Sequence, residues 1–124
     1  MSRGAPKDQH TLQALVLLND PQFVEAARKL AERTLTEGGS DTLSQLNFSF
    51  RNLTGRKASE KEIDLLMTLF RDEQGRFREK IEDAESLLAV GEAPTDSTLP
   101  AVDLAAHTVV ANALMSFDAF VMKR

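Results

Sequence analysis

Few side chains in this chain have a type and setting suited to chemistry, and His107 leads them. It falls on an apolar helical face with Leu104, Val110, Ala111 and Leu114, and Asp103 sits one turn earlier, where a carboxylate receives a ring N–H. A histidine oriented by a carboxylate underlies many metal ligands and general bases. The competing reading is a core or boundary histidine with a satisfied ring. It is favoured because no second histidine in an ordered element and no acidic cluster accompany His107.

A non-covalent haem held by His107 would need a second axial ligand, and methionine is the available type. Met115 is eight residues from His107 on much the same face, and one helix does not supply both sides of a ring. That leaves Met67 or Met122 from elsewhere, and buried methionine is ordinarily core filling. A di-iron carboxylate bundle needs Glu-x-x-His pairs, and none occurs. Nucleophilic catalysis is equally poorly served, with no cysteine, no Gly-x-Ser-x-Gly elbow, and serines placed at helix caps. Gly38-Gly39 is followed by no Gly-Lys-Ser/Thr, so a phosphate-binding loop is absent from the pattern. No catalytic, cofactor-binding or metal-ligating residue is therefore assigned.

Residues 50 to 63, FRNLTGRKASEKEI, admit a helix-turn-helix reading with Arg51, Arg56, Lys57 and Lys61 near the turn. The would-be recognition helix opens with Glu60, Glu62 and Asp64, which repel phosphates. An αα-hairpin with solvated charges is the better reading. The exposure of Phe48 and Phe117 matters more, because an apolar patch would mark a partner surface.

Composition narrows the classes further. The chain has 124 residues, 42% of them hydrophobic, a net charge of −4 and no cysteine. That length supports one core. Disulfides, cysteine-bound zinc, iron–sulfur clusters and C-x-x-C-H haem attachment are ruled out. Interspersed charges with a negative balance argue against general phosphate-backbone binding. The longest apolar run, Ala14 to Leu18, falls far short of the ~20 residues that span a bilayer, and no basic-then-apolar leader opens the chain.

The elements that must position these residues are all helical in pattern. Residues 1–9 lack periodicity and read as a flexible lead-in. In Leu12 to Arg28, LQALVLLNDPQFVEAAR, Asp20 and Pro21 form a stop and a start: Pro21 disfavours helical geometry at Asp20, ending one helix near Leu18 or Asn19, and suits the first position of the next. That second helix carries Phe23, Ala27, Leu30, Ala31 and Leu35 on one stripe, with Glu25/Lys29, Arg28/Glu32 and Arg33/Glu37 as i,i+4 pairs on other faces. Gly38-Gly39 ends it. A third helix opens near Ser40 or Asp41, keeps Leu43, Leu46, Phe50 and Leu53 on one stripe with Phe48 opposite, and closes at Gly55.

Ser59 to Glu62 is a capping box. The stripe Ile63, Leu66, Met67, Phe70, Gln74, Phe77, Ile81, Ala84 and Leu88 then holds helical period to Gly91, as one long helix or two nearly collinear ones. Residues 91–100 are rich in turn formers. The last helix, from Val102 or Asp103 to Met115, is small and apolar round most of its circumference, the mark of a central helix. Strand signals are absent.

Across Leu12 to Arg28 the chain closely resembles the C-terminal part of a planctomycete-specific domain of unknown function, which follows cytochrome c-like domains in large exported proteins of Planctomycetes and relatives. Phe50-Arg51, Thr54 to Arg56, Leu87 to Glu92, Leu104 to Asn112, Phe117-Asp118 and Phe120 agree in the same order. The family commonly has Thr-Pro at His10-Thr11, tryptophan at His107 and a proline near Ile81. The resemblance thus implies that His107 stands in for a core aromatic and that a helix break falls near Lys80. It also implies an extracytoplasmic setting and a haem motif carried by other domains.

The expected fold is all-α, five to six helices over residues 10–124 with the C-terminal helix central. The expected role is a non-catalytic structural or protein-interaction module of a larger exported, cytochrome c-like protein. Its expected partners are domains of that parent or another protein, without nucleic acid, membrane span or cofactor, and monomeric by default. The alternatives are a cofactor or metal site at His107 and, behind it, DNA binding by residues 50–72.

Overall fold

The computed structural model describes residues 21–90 and 98–122, with side chains from 24 to 90 and from 98 to 116. The expected lead-in, the first helix, Asp20 and most of the 91–100 loop lie outside these, as do the side chains of Phe23, Phe117 and Met122. Among the described residues there are five helices and no strand: α1 (Pro21–Glu37), α2 (Thr42–Thr54), α3 (Glu60–Glu79), α4 (Ile81–Leu88) and α5 (Ala101–Met122). The fold is all-α.

Each boundary has a local cause. The Asp41 carboxylate accepts from the Ser44 amide at 3.1 Å and the Ser44 hydroxyl at 2.9 Å, opening α2, and Gly55 closes it at φ 78°, donating to Arg51 O at 2.8 Å. Gly38 is needed for space: a Cβ there would sit 3.1 Å from the Phe48 Cβ and 2.5 Å from Thr34 O, so α1 and α2 meet closely only over a glycine. At the start of α3 the Glu62 amide donates to the Ser59 hydroxyl at 3.2 Å while the Glu62 carboxylate accepts the Ser59 amide at 2.8 Å. Lys80 breaks the period at φ −131°, ψ 83°, separating α3 from α4. The break implied by the family resemblance is thus present.

α5 is the centre. Every side chain from Leu104 to Asn112 is buried, more than two full turns, which requires cover on all sides. The cover comes from α1, α2, α3 and α4, all of which pack against it. Its small residues Ala105, Ala106 and Ala111 let those walls approach, and Leu46, Phe50, Phe70, Phe77 and Leu88 close the core around it. A second, smaller cluster joins Ala27, Leu30 and Ala111, with Phe48, Leu53 and Met115 packed on it. Phe48, on the far side of α2 from Leu46, is therefore half-buried, with the Arg33 guanidinium 5.6 Å above its ring.

Four expected placements need correction. Leu43 and Ile81, expected on core stripes, are 47% and 43% exposed. Lys80 resets the helical phase, so α4 turns Ala84, Leu87 and Leu88 inward instead of Ile81. Leu43 lies in the first turn of α2 beside Asp41 and Ser44, which are exposed with it. Arg28, expected on a face other than the apolar stripe, is 1% exposed, and Val24, not on the expected stripe, is fully buried. The last helix begins at Ala101, with Leu104 N bonded to Pro100 O at 2.9 Å, and runs on to Met122.

Gly75 lies inside α3 facing open space, and a Cβ added there would meet nothing within 4 Å. Gly75→Ala is expected to raise the unfolding free energy by about 0.5–1 kcal/mol, because alanine fits the helix and restricts the unfolded chain. Urea titration checks the sign, and a loss of stability would mean that Gly75 serves something other than helix geometry.

Candidate functional site

His107 projects from the middle of α5 into a pocket made by α2 and α3. Its Nε2 is 3.0 Å from Gln45 Oε1, and the Gln45 Nε2 donates to Gly39 O at 3.0 Å. The second bond orients the amide: its nitrogen faces the backbone, so its oxygen faces the ring and His107 carries its proton on Nε2. The Phe70 ring lies against the imidazole, centroids 4.4 Å apart and planes tilted by 39°. Gln45 links the Gly38-Gly39 turn to the central helix.

Asp103 does not take the expected role. Its Oδ1 accepts from Gln74 Nε2 at 2.8 Å, joining α3 to the first turn of α5, and His107 Nδ1 is buried without a hydrogen-bond partner. A carboxylate–histidine pair is thus not assembled. Burial pushes the His107 pKa down to about 4, only partly offset by the charge of Asp103. The ring is neutral at pH 7.

This arrangement does not fit an axial haem ligand or a metal centre. One ring nitrogen is spent on Gln45, Phe70 covers the ring, and His107 is 1% exposed. Met115 belongs to the smaller cluster with Ala27 and Leu30, and Met67 is half-buried against the main core. Among the described residues no three His, Asp or Glu side chains converge as a metal site would require.

Around the α2–α3 turn, Arg56 makes a two-pronged contact with Glu62 at 3.0 and 2.8 Å and lies 4.9 Å over the Phe50 ring. Arg56 and the capping box hold the Glu62 carboxyl down to about 2. One of the four cations of the helix-turn-helix reading is therefore engaged within the fold. Arg51, Lys57 and Lys61 are exposed, and Glu60 and Glu62 occupy the first turn of α3.

Arg28 is the polar residue that sequence reasoning missed. Its Nη1 donates to Leu88 O at 2.7 Å and Val90 O at 3.3 Å, across some sixty residues of sequence, and its Nε lies 4.0 Å from the Glu32 carboxylate. The available signal was spacing: Val24, Arg28 and Ala31 follow i, i+4, i+7. The i,i+4 pairing with Glu32 pointed to the wrong face. Gln74 carried the same signal, standing on the apolar stripe between Phe70 and Phe77, whereas Gln45 offered none.

Residues 2–70, more than half of the chain, match the family model PSD1, described as a protein of unknown function (DUF1553). No curated protein and no solved structure matches. No helix among the described residues is long and apolar enough to cross a membrane.

Proposed function

The chain belongs to the PSD1 family of proteins of unknown function, and from that premise we propose that it is a non-catalytic structural or protein-interaction module. The parent in this reading is a larger exported protein bearing cytochrome c-like domains. Its context is planctomycete and extracytoplasmic, as the resemblance of Leu12 to Arg28 and Leu104 to Asn112 implies. The carrying observation is where the buried polar side chains of Arg28 and His107 go: one holds the end of α4, the other bonds Gln45 beneath Phe70. Groups spent on internal bonds serve architecture rather than turnover.

Optical absorption and metal analysis of the purified chain test this reading. The expected result is no Soret band and no stoichiometric metal. A band or metal that disappears in His107→Ala would overturn it. Cross-linking in the intact parent is expected to join this segment to neighbouring domains, and salt-sensitive retention on duplex DNA would instead favour residues 50–72 as a nucleic-acid surface.

A further inference from the structure

Ser44, Asn47, Phe48, Arg51 and Asn52 share one side of α2 at i, i+3, i+4, i+7 and i+8, and with Lys57 beyond the Gly55 turn they line a groove of about 500 Å³. Its charge is one-sided: Arg51 and Lys57 line it and no acid does, although the whole chain carries a net −4. Both cations are exposed, and among the described residues neither has an ion-pair partner. Glu37 and Asp41 at one end are already engaged, with Arg33 at 3.5 Å and with Ser44, and Glu62 at the other end is held by Arg56. The groove also has an apolar wall. Phe48 packs on the Ala27, Leu30 and Ala111 cluster and borders the groove, where it stays half-buried. Finally, it holds two acceptors. Asn47 and Asn52 donate amide N–H to Leu43 O at 3.2 Å and Phe48 O at 2.9 Å, and among the described residues no donor reaches either carboxamide oxygen.

We propose that this side of α2 docks an acidic protein segment carrying one large apolar residue. Carboxylates of the segment meet Arg51 and Lys57, its apolar side chain rests against Phe48, and its backbone N–H groups donate to the oxygens of Asn47 and Asn52. This names a partner class for the interaction module proposed above and rests on that reading. Acceptors set beside cations are what select a polypeptide. A phosphodiester backbone offers acceptors alone, so it would satisfy the two cations and leave the two carboxamide oxygens facing like groups. A polypeptide brings carboxylates and amide donors together, and one leucine or phenylalanine supplies the apolar match.

The probe is an acetylated octapeptide of glutamates around one central leucine, titrated at low salt into the isotope-labelled chain and followed by amide chemical shifts. Saturable shifts are expected at Asn47, Phe48, Arg51, Asn52 and Lys57. Binding is expected to weaken about tenfold when serine replaces the leucine, the loss of one part-buried apolar side chain. The double variant Arg51→Glu, Lys57→Glu is expected to weaken it by about tenfold or more, with urea unfolding unchanged because both side chains are exposed. Shifts no larger than a lysine octapeptide gives, shifts centred on another face, or unchanged affinity in the double variant each overturn the proposal. A DNA duplex that binds the same residues more tightly than the peptide also overturns it. Any of these results leaves the module reading standing when cross-links in the intact parent join this chain to a neighbour through another face. Absence of all such cross-links defeats both.

Discussion

Replacing Arg28 with methionine is expected to lower the unfolding free energy by about 3 kcal/mol and to loosen α4 before the other helices. Two effects oppose each other. Removing a buried guanidinium recovers its desolvation penalty, which is how some buried charges prove dispensable. Against this, Leu88 O and Val90 O lose a charged donor, and the carboxyl end of α4 loses a cation that complements its dipole. The preceding carbonyls of Glu85, Ser86 and Leu87 accept from the amides of Ala89 and Val90, and Arg28 adds a charged side-chain donor to the carbonyls that follow. The loss prevails because Leu88 is 6% exposed and water does not readily replace the donor. Arg28→Lys keeps the charge but presents a single ammonium, and about half the effect is expected. Urea unfolding measures the magnitude, and amide exchange over residues 81–90 checks the order of opening. Unchanged exchange there would refute the clasp.

Acidification from pH 6.5 to pH 4 is expected to remove about 3 kcal/mol of stability through His107 alone. Its folded pKa of about 4 lies below the ordinary histidine value of 6.5 because burial disfavours the imidazolium. The unfolded chain therefore binds a proton that the folded chain refuses. The full contribution is present above pH 6.5, is lost as pH falls towards 4, and is gone below. Glu62 and Asp41, whose pKa values are lowered, have contributions present above the ordinary carboxylate range that fade beneath it. The upper part of the window thus isolates the histidine. In His107→Phe, which keeps an aromatic against Phe70, the slope of stability between pH 6.5 and 5 is expected to flatten. An unaltered slope would show that another group carries it.

What could be read in advance was local or periodic. Asp41, Gly55 and the Ser59–Glu62 box act within a few residues of themselves, so their chemistry is written in adjacent letters. The centrality of α5 was equally legible, because a helix of small apolar residues all round has no face to offer water. The polar interior was not. Arg28 and Gln45 bond backbone carbonyls, which every residue possesses, and His107 bonds a glutamine on another helix, so composition marks neither partner. Asp103 is one turn from His107 in sequence, yet the long-range Gln74 takes its carboxylate instead. Ile81 shows the same limit in the apolar pattern: a continuous stripe is indistinguishable from two stripes whose phase slips at Lys80.

The position of α5 also bears on biosynthesis. Four walls are made before the helix they enclose, and Ala27, Ala31, Leu46, Phe70 and Phe77 have no complete interior to join until it arrives. A nascent chain released from the ribosome tunnel only as far as residue 90 exposes these surfaces. Acquisition of the native state thus waits for α5, and termination anywhere before Leu104 yields a sticky fragment for chaperones and proteases rather than a smaller folded body.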